Sequence, residues 1–412
     1  MPSESQNIGG VGSGTRAKPA TSGESVSRSG AVGLVDADSG TAPVISVVIP
    51  TLNEEDGIGE CIERVKNALA ELELPGEVII SDSSSDRTPE IARGMGAIVV
   101  EPDEPGYGYA YRYAFGHARG EYIVIGDADT TYDFEEIPKL LEPVRSGEAD
   151  MCMGSRLKGE IRSGAMPPLH EHIGNPLLTK FLNVFYDAGV SDAHSGFRVL
   201  RRDVLDELDL GTSGMEFASE MIMEAGARDL TIAERPIVYH EREGEATLDS
   251  FQDGWRHVRF MLVNAPGYLF SVPGTLLMAV GIVLMGLCLS GVSLGSTSFG
   301  LHSMVGGTLL TLSGAQIASF GVFATVTSDP IRAPSDPITN WLVERVQLEH
   351  GATVGVVIIS LGLGYVALMG ARWVASGFRE LPLLMTDIAA MAAVVLGIQL
   401  VFSSFFMSSV AE

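Results

Sequence analysis

Four long apolar stretches in the second part of the chain constrain its fold more than any other feature. They contain almost no charged residues, and each is long enough to cross a hydrocarbon core of about 30 Å as a helix. A buried helical bundle is the alternative, but the length and low charge of the stretches favour membrane spans. The exceptions, Arg372 and Asp387, fall near the ends of their stretches, where a membrane interface can hold them. We predict a membrane domain over 267–412 with these spans: 268–292, 303–327, 353–376 and 383–407.

The chain before Asn264 is strongly acidic. The protein has 412 residues, of which 52 are acidic and 27 basic, and nearly all of its net charge of −25 precedes Asn264. Nucleic acid is excluded as a partner, because binding it requires a basic face. Abundant Asp and Glu with little Lys is typical of proteins from a salt-rich cytoplasm, whose acidic surfaces stay hydrated. We therefore expect an acidic, water-soluble part of a halophile's protein to precede the membrane domain.

Residues 1–42 are rich in Ser, Gly, Ala and Thr and contain no apolar run. This composition predicts a disordered tail, and it lacks the apolar segment of a secretory signal. We therefore expect a multi-pass protein of the cell membrane whose acidic part stays in the cytoplasm. Arg259 and Arg345 agree with the positive-inside rule, whereas Arg372 and Arg379 near the outer side weaken that signal.

Strand-like and helix-like segments alternate over residues 43–247. The runs "VISVVIP", "EVIIS", "AIVV" and "EYIVIGD" are short and apolar, and helical spacing between the first two places Ile58, Ile62 and Val65 on one face. This alternation predicts an α/β domain with a mostly parallel sheet. In such sheets the loops that follow the carboxyl ends of the strands bind ligands.

Residues 248–266 join the two predicted domains. Trp255, Val258 and Leu262 fall at helical spacing in this segment. We predict an amphipathic helix that lies in the membrane interface, and an ordinary core helix is the alternative.

Two aspartates follow a buried strand in "EYIVIGDADTTYD". Asp127 and Asp129 stand two residues apart where a ligand-binding loop is expected. Carboxylate oxygens are ligands that Mg²⁺ or Mn²⁺ prefers, and a cation so held neutralises a diphosphate. A turn or a helix cap would also explain the pair.

Polar side chains follow two further strands. Asn53 and Glu54 come after the first strand, and Asp82 comes after the second. Helix capping alone would explain Asn53. Three such loops on one edge of a sheet instead suggest a polar ligand with hydroxyls and ring nitrogens. Gly106 and Tyr107 begin a helix that we expect to lie near that ligand.

The motifs "VVIPTLNEED", "SDSSSDRT" and "GDADTTYD" resemble, in this order, the nucleotide-sugar glycosyltransferases of family 2, which have the GT-A fold. The later motifs "MGSR", "HSGFRVLRRDV", "MEFASEM" and "RPIVYHEREGEATL" resemble the dolichyl-phosphate (polyprenyl-phosphate) hexosyltransferase branch. The resemblance covers about residues 44–265. It implies a GT-A domain with a mostly parallel sheet, followed by an α-helical domain of four spans.

The resemblance also implies roles for the loop residues. It implies that Asp127 and Asp129 hold Mg²⁺ or Mn²⁺ against the donor. Family members often carry glutamine where Thr131 stands, but a hydroxyl can also bind the cation, so Thr131 joins the two aspartates as an expected metal ligand. The nucleotide would be bound by residues of the three loops: Pro50, Leu52, Asn53, Glu54, Asp82 and Ala128.

The resemblance implies that Arg156 and Arg242 hold the acceptor phosphate, and Arg198 in "SGFR" is a third candidate for that site. The guanidinium fork suits two phosphate oxygens. A surface ion pair is the alternative for Arg156 and Arg242, and a structural role is the alternative for Arg198. The residues expected to be catalytic are Asp127, Asp129, Arg156 and Arg242.

The resemblance implies an inverting transfer of a hexose from a GDP- or UDP-sugar to dolichyl or polyprenyl phosphate at the bilayer, for lipid-linked glycans used in protein N-glycosylation. Extension of a lipid-linked glycan or a polysaccharide is an alternative. A transporter with a degenerate nucleotide-binding domain is an alternative of another class. Four spans exceed what anchoring requires, and a homo-oligomer interface is one use that the sequence leaves open.

Overall fold

A seven-stranded mixed sheet organises the first part of the protein. The computed structural model describes residues 34–242, 250–294, 297–327, 348–379 and 384–411, together with 331, 336, 338, 339 and 341. The strands are β1 Ile45–Thr51, β2 Gly76–Asp82, β3 Ile98–Val100, β4 Tyr122–Ile125, β5 Met151–Ile161, β6 Arg198–Arg201 and β7 Ile232–Tyr239.

The strands lie in the order β3-β2-β1-β4-β6-β5-β7, and every neighbouring pair is parallel except those that involve β6. The predicted α/β fold with a mostly parallel sheet is therefore confirmed. Seven helices accompany the strands: α1 Ile58–Leu72, α2 Thr88–Gly94, α3 Tyr107–Phe115, α4 Ile137–Ser146, α5 Asn175–Tyr186, α6 Arg202–Glu207 and α7 Phe217–Ala227. A 3₁₀ turn over Phe134–Glu136 precedes α4, and a π turn over His170–Gly174 precedes α5.

Both faces of the sheet are covered, because alternate strand residues point to opposite sides. Val47 of β1 packs in a core with α1 and α4. The helical spacing of apolar residues in α1 buries its predicted face, which includes Ile58 and Ile62. Val48 points the other way, into a second core that α3, α5 and α7 complete.

The predicted disordered tail overlaps the first described residues. Leu34 forms an isolated parallel bridge with Gly76, and Val35 is buried. The amide of Val35 donates to the Gly76 carbonyl at 2.8 Å. Order thus begins at least eight residues before the predicted boundary at 42, and residues 1–33 lie outside the described part.

The predicted amphipathic segment forms α8, Ser250–Val263. Met261 on this helix is buried in the second core, whereas Trp255 and Val263 are 60% and 58% exposed. The helix therefore has a side that belongs to the domain core and a side that points away from it.

Four described helices are long and apolar enough to cross a membrane, which agrees with the four predicted spans. These span segments are Gly267–Ser290, Leu301–Thr325, Glu349–Ala375 and Met385–Ser409. They belong to a π turn over Gly267–Ser271 and to α9 Val272–Ser290, α10 Leu301–Thr327, α11 Leu348–Ala375 and α12 Met385–Ala411. Short strands β8 Ser293–Leu294 and β9 Thr297–Ser298 join the first two spans.

The spans pack in close pairs. A Cβ atom added at Gly281 of α9 would meet the Thr311 backbone, and one at Gly314 of α10 would meet the Met278 backbone. Small residues let membrane helices approach to backbone contact, where dispersion stabilises the pair.

Candidate functional site

The carboxyl ends of β1, β2 and β4 meet at one edge of the sheet. Parallel pairing sets Thr51 opposite Asp82 and Val48 opposite Ile125. The three loops that leave these strands therefore start side by side, as predicted from their polar residues.

A cavity of about 290 Å³, here called the inner cavity, opens at this edge. It brings together seven of the predicted site residues: Pro50, Leu52, Glu54, Asp127, Ala128, Asp129 and Arg242. Residues at the ends of β1 and β2, at the start of α3 and just before α7 complete the lining: Thr51, Ser83, Gly106, Tyr107, Ala110 and Met215. The predicted position of Gly106 and Tyr107 beside the ligand loops is confirmed.

Asp127 and Asp129 each have one carboxylate oxygen fixed by the protein. The Tyr107 hydroxyl donates to Asp127 Oδ1 at 2.7 Å, and the Thr131 hydroxyl donates to Asp129 Oδ1 at 2.6 Å. The amide of Thr131 donates to the same Asp129 oxygen at 3.2 Å. Burial and then the charge of Asp129 raise the pKa of Asp127 to about 7. Holding the two carboxylates together in this way costs free energy, and a bound cation would reduce that cost.

The pair fits a divalent cation shared with a diphosphate. Mg²⁺ is commonly held by one or two carboxylates together with substrate phosphates, and no hydrogen bond among the described residues reaches Asp127 Oδ2. In the described part of the chain no group of three or more His, Cys, Asp and Glu side chains is arranged for a metal. The remaining ligands of a cation here would therefore be phosphate or water oxygens. Thr131 is 2% exposed and supports Asp129, so its own metal contact stays a prediction.

Arg242 lies against the acidic side chains of the inner cavity. Its Nη2 donates to Glu54 Oε1 at 2.8 Å, and its Nη1 is 3.8 Å from Asp129 Oδ2. Burial raises the pKa of Glu54, while the Arg242 charge opposes that rise. A guanidinium group therefore stands beside the aspartates, on the wall of the same cavity.

A second cavity of about 490 Å³, here called the outer cavity, adjoins the inner one through Ser83, which lines both. Asp82 lines it and accepts a hydrogen bond from the Thr51 hydroxyl at 2.7 Å. Arg93 of α2 also lines the outer cavity. Two cavities that share a lining residue at one edge of the sheet suit an elongated polar ligand.

Asn53 joins two of the loops and does not cap a helix. Its Oδ1 accepts from the Ser85 amide at 2.9 Å, and its backbone has a φ of 58°. The N-cap of α1 is Gly57, so the capping alternative for Asn53 is wrong. Its predicted nucleotide contact stays a prediction.

Arg156 is almost entirely buried and ion-paired. Its Nε and Nη2 donate to Asp192 at 2.8 Å each, and its guanidinium carbon lies 5.2 Å from the centroid of the Tyr239 ring. Burial alone would lower the pKa of Arg156, but the Asp192 charge raises it well above the usual value. The ion-pair alternative is therefore present, although inside the domain and not on its surface. Contact between Arg156 and a phosphate stays a prediction.

Arg198 is the most buried of the three predicted acceptor arginines. It has no exposed surface, and its Nε and Nη2 donate to the carbonyls of Ser195 and Ala193 at 3.0 Å each. Burial lowers its pKa to about 10. These contacts fit the structural alternative, whereas Nη1 has no hydrogen-bond partner among the described residues. Contact between Arg198 and a phosphate stays a prediction.

The sequence analysis missed Asp192, Met215 and Ser83. Asp192 stands in "SDAHSGFR", and its acidic character beside a predicted phosphate-binding arginine was a usable signal. Met215 and Ser83 gave no such signal, because an apolar and a small polar residue in loops have many other uses.

Comparison with known proteins agrees with this architecture. The model of glycosyl transferase family 2 matches residues 46–209, and the model of the family 2 C-terminal transmembrane region matches residues 322–411. A crystal structure of glucosyl-3-phosphoglycerate synthase from Mycobacterium tuberculosis, with Mn²⁺, UDP and glucosyl-3-phosphoglycerate, aligns at 26% identity with a TM-score of 0.44. That alignment covers 55% of this chain and 80% of the synthase chain.

Two relatives come from Haloferax volcanii. The low-salt glycan biosynthesis hexosyltransferase Agl6 is 62% identical over 396 residues, which cover 95% of this chain and 96% of Agl6. The dolichyl-phosphate hexose transferase is 37% identical over 215 residues, which cover 51% of this chain and 89% of that protein. With its GT-A-like sheet domain, its acidic pair at the strand ends and its four apolar helices, the chain belongs to the haloarchaeal hexosyltransferases of glycosyltransferase family 2.

Proposed function

We propose that the protein transfers a hexose from a nucleotide-diphosphate sugar to dolichyl (polyprenyl) phosphate, with inversion at the anomeric carbon. The observation that carries this proposal is the convergence of Asp127, Asp129 and Arg242 on one cavity beside a loop-lined neighbour. The relative named a dolichyl-phosphate hexose transferase supports the acceptor class. The product would serve the assembly of lipid-linked glycans for N-glycosylation of surface proteins.

The two cavities support a division of the donor. The base and ribose would occupy the outer cavity beside Asp82, and the diphosphate and hexose would occupy the inner cavity beside the acidic pair. Mg²⁺ or Mn²⁺ bound there would supply the positive charge that stabilises the departing nucleotide. Asp127 and Asp129 orient that end of the donor, because the hydroxyls of Tyr107 and Thr131 hold their carboxylates in place.

The attacking group needs little help from a base. A phosphate monoester has its second pKa near about 6, so it is largely dianionic at neutral pH. Arg242 lies on the cavity wall where it can orient such an anion, and Arg156 lies deeper beside Asp192. Positioning and charge therefore account for the catalysis without a general base.

The site would face the cytoplasm. Nucleotide sugars are water-soluble donors, and the acidic domain continues directly through α8 into the first span segment. Arg256 and Arg259, next to that span, are exposed cations of the kind enriched on the cytoplasmic side.

The test is a transfer assay with purified full-length protein, a labelled nucleotide sugar and dolichyl phosphate in vesicles. Label that appears on an organic-extractable monophosphate lipid supports the proposal. Label that appears only after a lipid-linked glycan is added assigns the protein to glycan extension. The name of Agl6 does not state an acceptor and therefore leaves this outcome open. Label found only in water-soluble polymer, or no transfer from any GDP- or UDP-hexose, contradicts the proposal.

A further inference from the structure

The loops that follow β1 and β2 are joined by hydrogen bonds into one unit. Three consecutive backbone amides of the first loop, those of residues 53–55, donate to side chains that follow β2. Their acceptors are, in order, Ser84 Oγ at 2.7 Å, Thr88 Oγ1 at 2.9 Å and Asp86 Oδ2 at 3.1 Å. Glu54, the middle residue of the three, is therefore held against the second loop and the start of α2.

The backbone of Glu54 is also fixed by the start of α1. Its carbonyl accepts from the amides of Gly57 and Ile58 at 3.2 and 2.9 Å. Thr88, which accepts from the Glu54 amide, has no exposed surface. The starts of two helices thus set the position of the Glu54 backbone, and its side chain lines the inner cavity from this fixed point.

Arg242 reaches the same cavity from a segment with less support. It stands three residues after the end of β7 at Tyr239. The His240 amide donates to the Thr131 carbonyl at 2.9 Å, and beyond it no backbone hydrogen bond joins Arg242 to another described residue. What holds Arg242 is its side chain, because Nη2 donates at 2.8 Å to Glu54, which lies 188 positions earlier in the chain.

The other acid close to Arg242 does not hold it by a hydrogen bond. Asp129 Oδ2 lies 3.8 Å from Nη1, which is too long for one. The Arg242 Nε is buried and has no hydrogen-bond partner among the described residues. Arg156, by contrast, donates to Asp192 through both Nε and Nη2. Glu54 therefore orients the Arg242 guanidinium through one nitrogen and leaves other N–H donors for a ligand.

We propose that Glu54 is a positioning residue for Arg242, and that its carboxylate serves the acceptor phosphate through this arginine instead of contacting the nucleotide. The inference rests on the proposed function, in which Arg242 orients the acceptor phosphate. Without the charge of Glu54, the acid that remains within 4.0 Å of the guanidinium is Asp129. An arginine drawn towards Asp129 would turn away from the acceptor.

The test compares the two substrates in full-length protein. Glu54→Gln keeps the shape and an accepting oxygen but removes the charge. We expect the apparent KM for dolichyl phosphate in vesicles to rise roughly fivefold, because a neutral hydrogen bond is weaker than a charge-assisted one. The KM for the nucleotide sugar should stay unchanged, as should the affinity for UDP or GDP with Mg²⁺ measured by calorimetry. Glu55→Gln is the matched control, since Glu55 pairs with Arg87 and should leave all these constants unchanged.

A double-mutant cycle separates positioning from an independent contribution of Glu54. Glu54→Gln combined with Arg242→Ala should have the same acceptor KM as Arg242→Ala alone, because no guanidinium is left to orient. A contribution that does not pass through Arg242 would persist in the Arg242→Ala background. A further rise of the acceptor KM in the double variant would therefore contradict the proposal.

Two other results overturn the proposal. Weaker binding of UDP or GDP by Glu54→Gln, with an unchanged acceptor KM, would make Glu54 a nucleotide contact. A lower acceptor KM would mean that Glu54 competes with the phosphate for Arg242. Glu54→Asp is a second variant that keeps the charge and shortens the side chain by one methylene. Its acceptor KM should also rise while its nucleotide affinity stays unchanged, and an unchanged acceptor KM would contradict positioning even if the glutamine variant does not fold.

Failure of the proposed function gives a different result. An unsubstituted protein that transfers no hexose to dolichyl phosphate refutes the proposed function. The contact itself is then tested by thermal unfolding of the unsubstituted protein, the two single variants and the double variant. Tm shifts of Glu54→Gln and Arg242→Ala that do not add support the contact, and additive shifts contradict it.

Discussion

Two charged pairs lie near the inner cavity, and they differ in how completely the protein satisfies them. Asp127 and Asp129 are like charges, and burial next to Asp129 raises the pKa of Asp127 to about 7. Arg156 and Asp192 are opposite charges joined by two hydrogen bonds of 2.8 Å, and Asp192 has no exposed surface. A cation bound at the first pair would add positive charge to that of Arg242, which lies 3.8 Å from Asp129, whereas the second pair already contains its own counter-charge.

The Asp127–Asp129 pair has the properties of a ligand site, and the Arg156–Asp192 pair has those of a structural ion pair. A buried carboxylate beside another carboxylate costs free energy, so the fold keeps such a pair only where something else bears the charge. A buried ion pair with full hydrogen bonding needs no ligand, but it loses much stability when one partner is removed. Substitutions in the first pair should therefore change activity, and substitutions in the second should change stability. Four experiments test this contrast.

The largest expected effect is on catalysis, from Asp129→Asn. Asparagine keeps an oxygen for the Thr131 hydroxyl and amide but removes the negative charge. We expect transfer to fall by about 10³-fold, on the scale of a lost transition-state charge contact, with Tm unchanged. The measurements are labelled-hexose transfer and thermal unfolding of the full chain, with the exposed Asp206→Asn as control. Retained turnover would show that the acidic pair only shapes a turn.

The next effect is on stability, from Asp192→Ala. This change leaves the buried Arg156 without its partner, and we expect the free energy of unfolding to fall by about 3 kcal/mol. The drop should appear as a lower Tm in circular dichroism, whereas Asp206→Ala should leave Tm near that of the unsubstituted protein. A stable Asp192→Ala variant would mean that the pair contributes nothing to the fold and that Arg156 is free to bind a ligand.

A smaller effect is expected from Arg242→Ala. Removing a charge-assisted contact costs roughly 1.5–3 kcal/mol, so the apparent KM for the lipid acceptor should rise at least about tenfold. The KM for the nucleotide sugar should change less. Arg235→Ala is the matched control, since Arg235 is paired with Glu142 and Glu148 instead of the cavity acids. An unchanged acceptor KM would remove Arg242 from the phosphate site.

The smallest effect is a pH dependence of stability that belongs to Asp192. Burial alone would raise the pKa of Asp192, but the Arg156 charge, its hydrogen bonds and His194 together lower it. Because the folded pKa is depressed, this stability is present above the unfolded pKa of about 3.9 and is lost as the pH falls through the folded value. The Tm difference between the unsubstituted protein and Asp192→Asn should therefore be constant from about pH 5 to 8 and shrink below about pH 4. A difference that grows on acidification would contradict the assignment.

Much of the fold could be predicted, because its signals are local in sequence. The continuous apolar run of β4 and each of the four long spans can be recognised within a window of about 25 residues. The order of the sheet was not accessible in the same way. The placement of β6 between β4 and β5 depends on pairing between residues such as Ile125 and Arg198, which are distant in the chain.

The site was predicted where a residue's position follows from a strand end, and missed where it depends on packing. Asp127 and Asp129 directly follow β4, so their place on the rim is fixed by the strand. The motif "SGFR" does not reveal that the side chain of Arg198 turns into the core. The Arg156–Asp192 pair joins residues 36 positions apart, and no local pattern links them.

The reversed direction of β6 has a consequence for how the candidate site is assembled. Because β6 runs against its neighbours, the chain arrives at the ligand edge through residues 192–197, ahead of the strand, instead of leaving from it. Segment 162–197 is thus an excursion whose two ends are pinned in adjacent strands. Its length and composition can change without disturbing the registers of β1, β2 and β4, whose ends carry the acidic pair and the neighbouring loops. One scaffold can in this way keep the loops at three strand ends and exchange the segment that faces them.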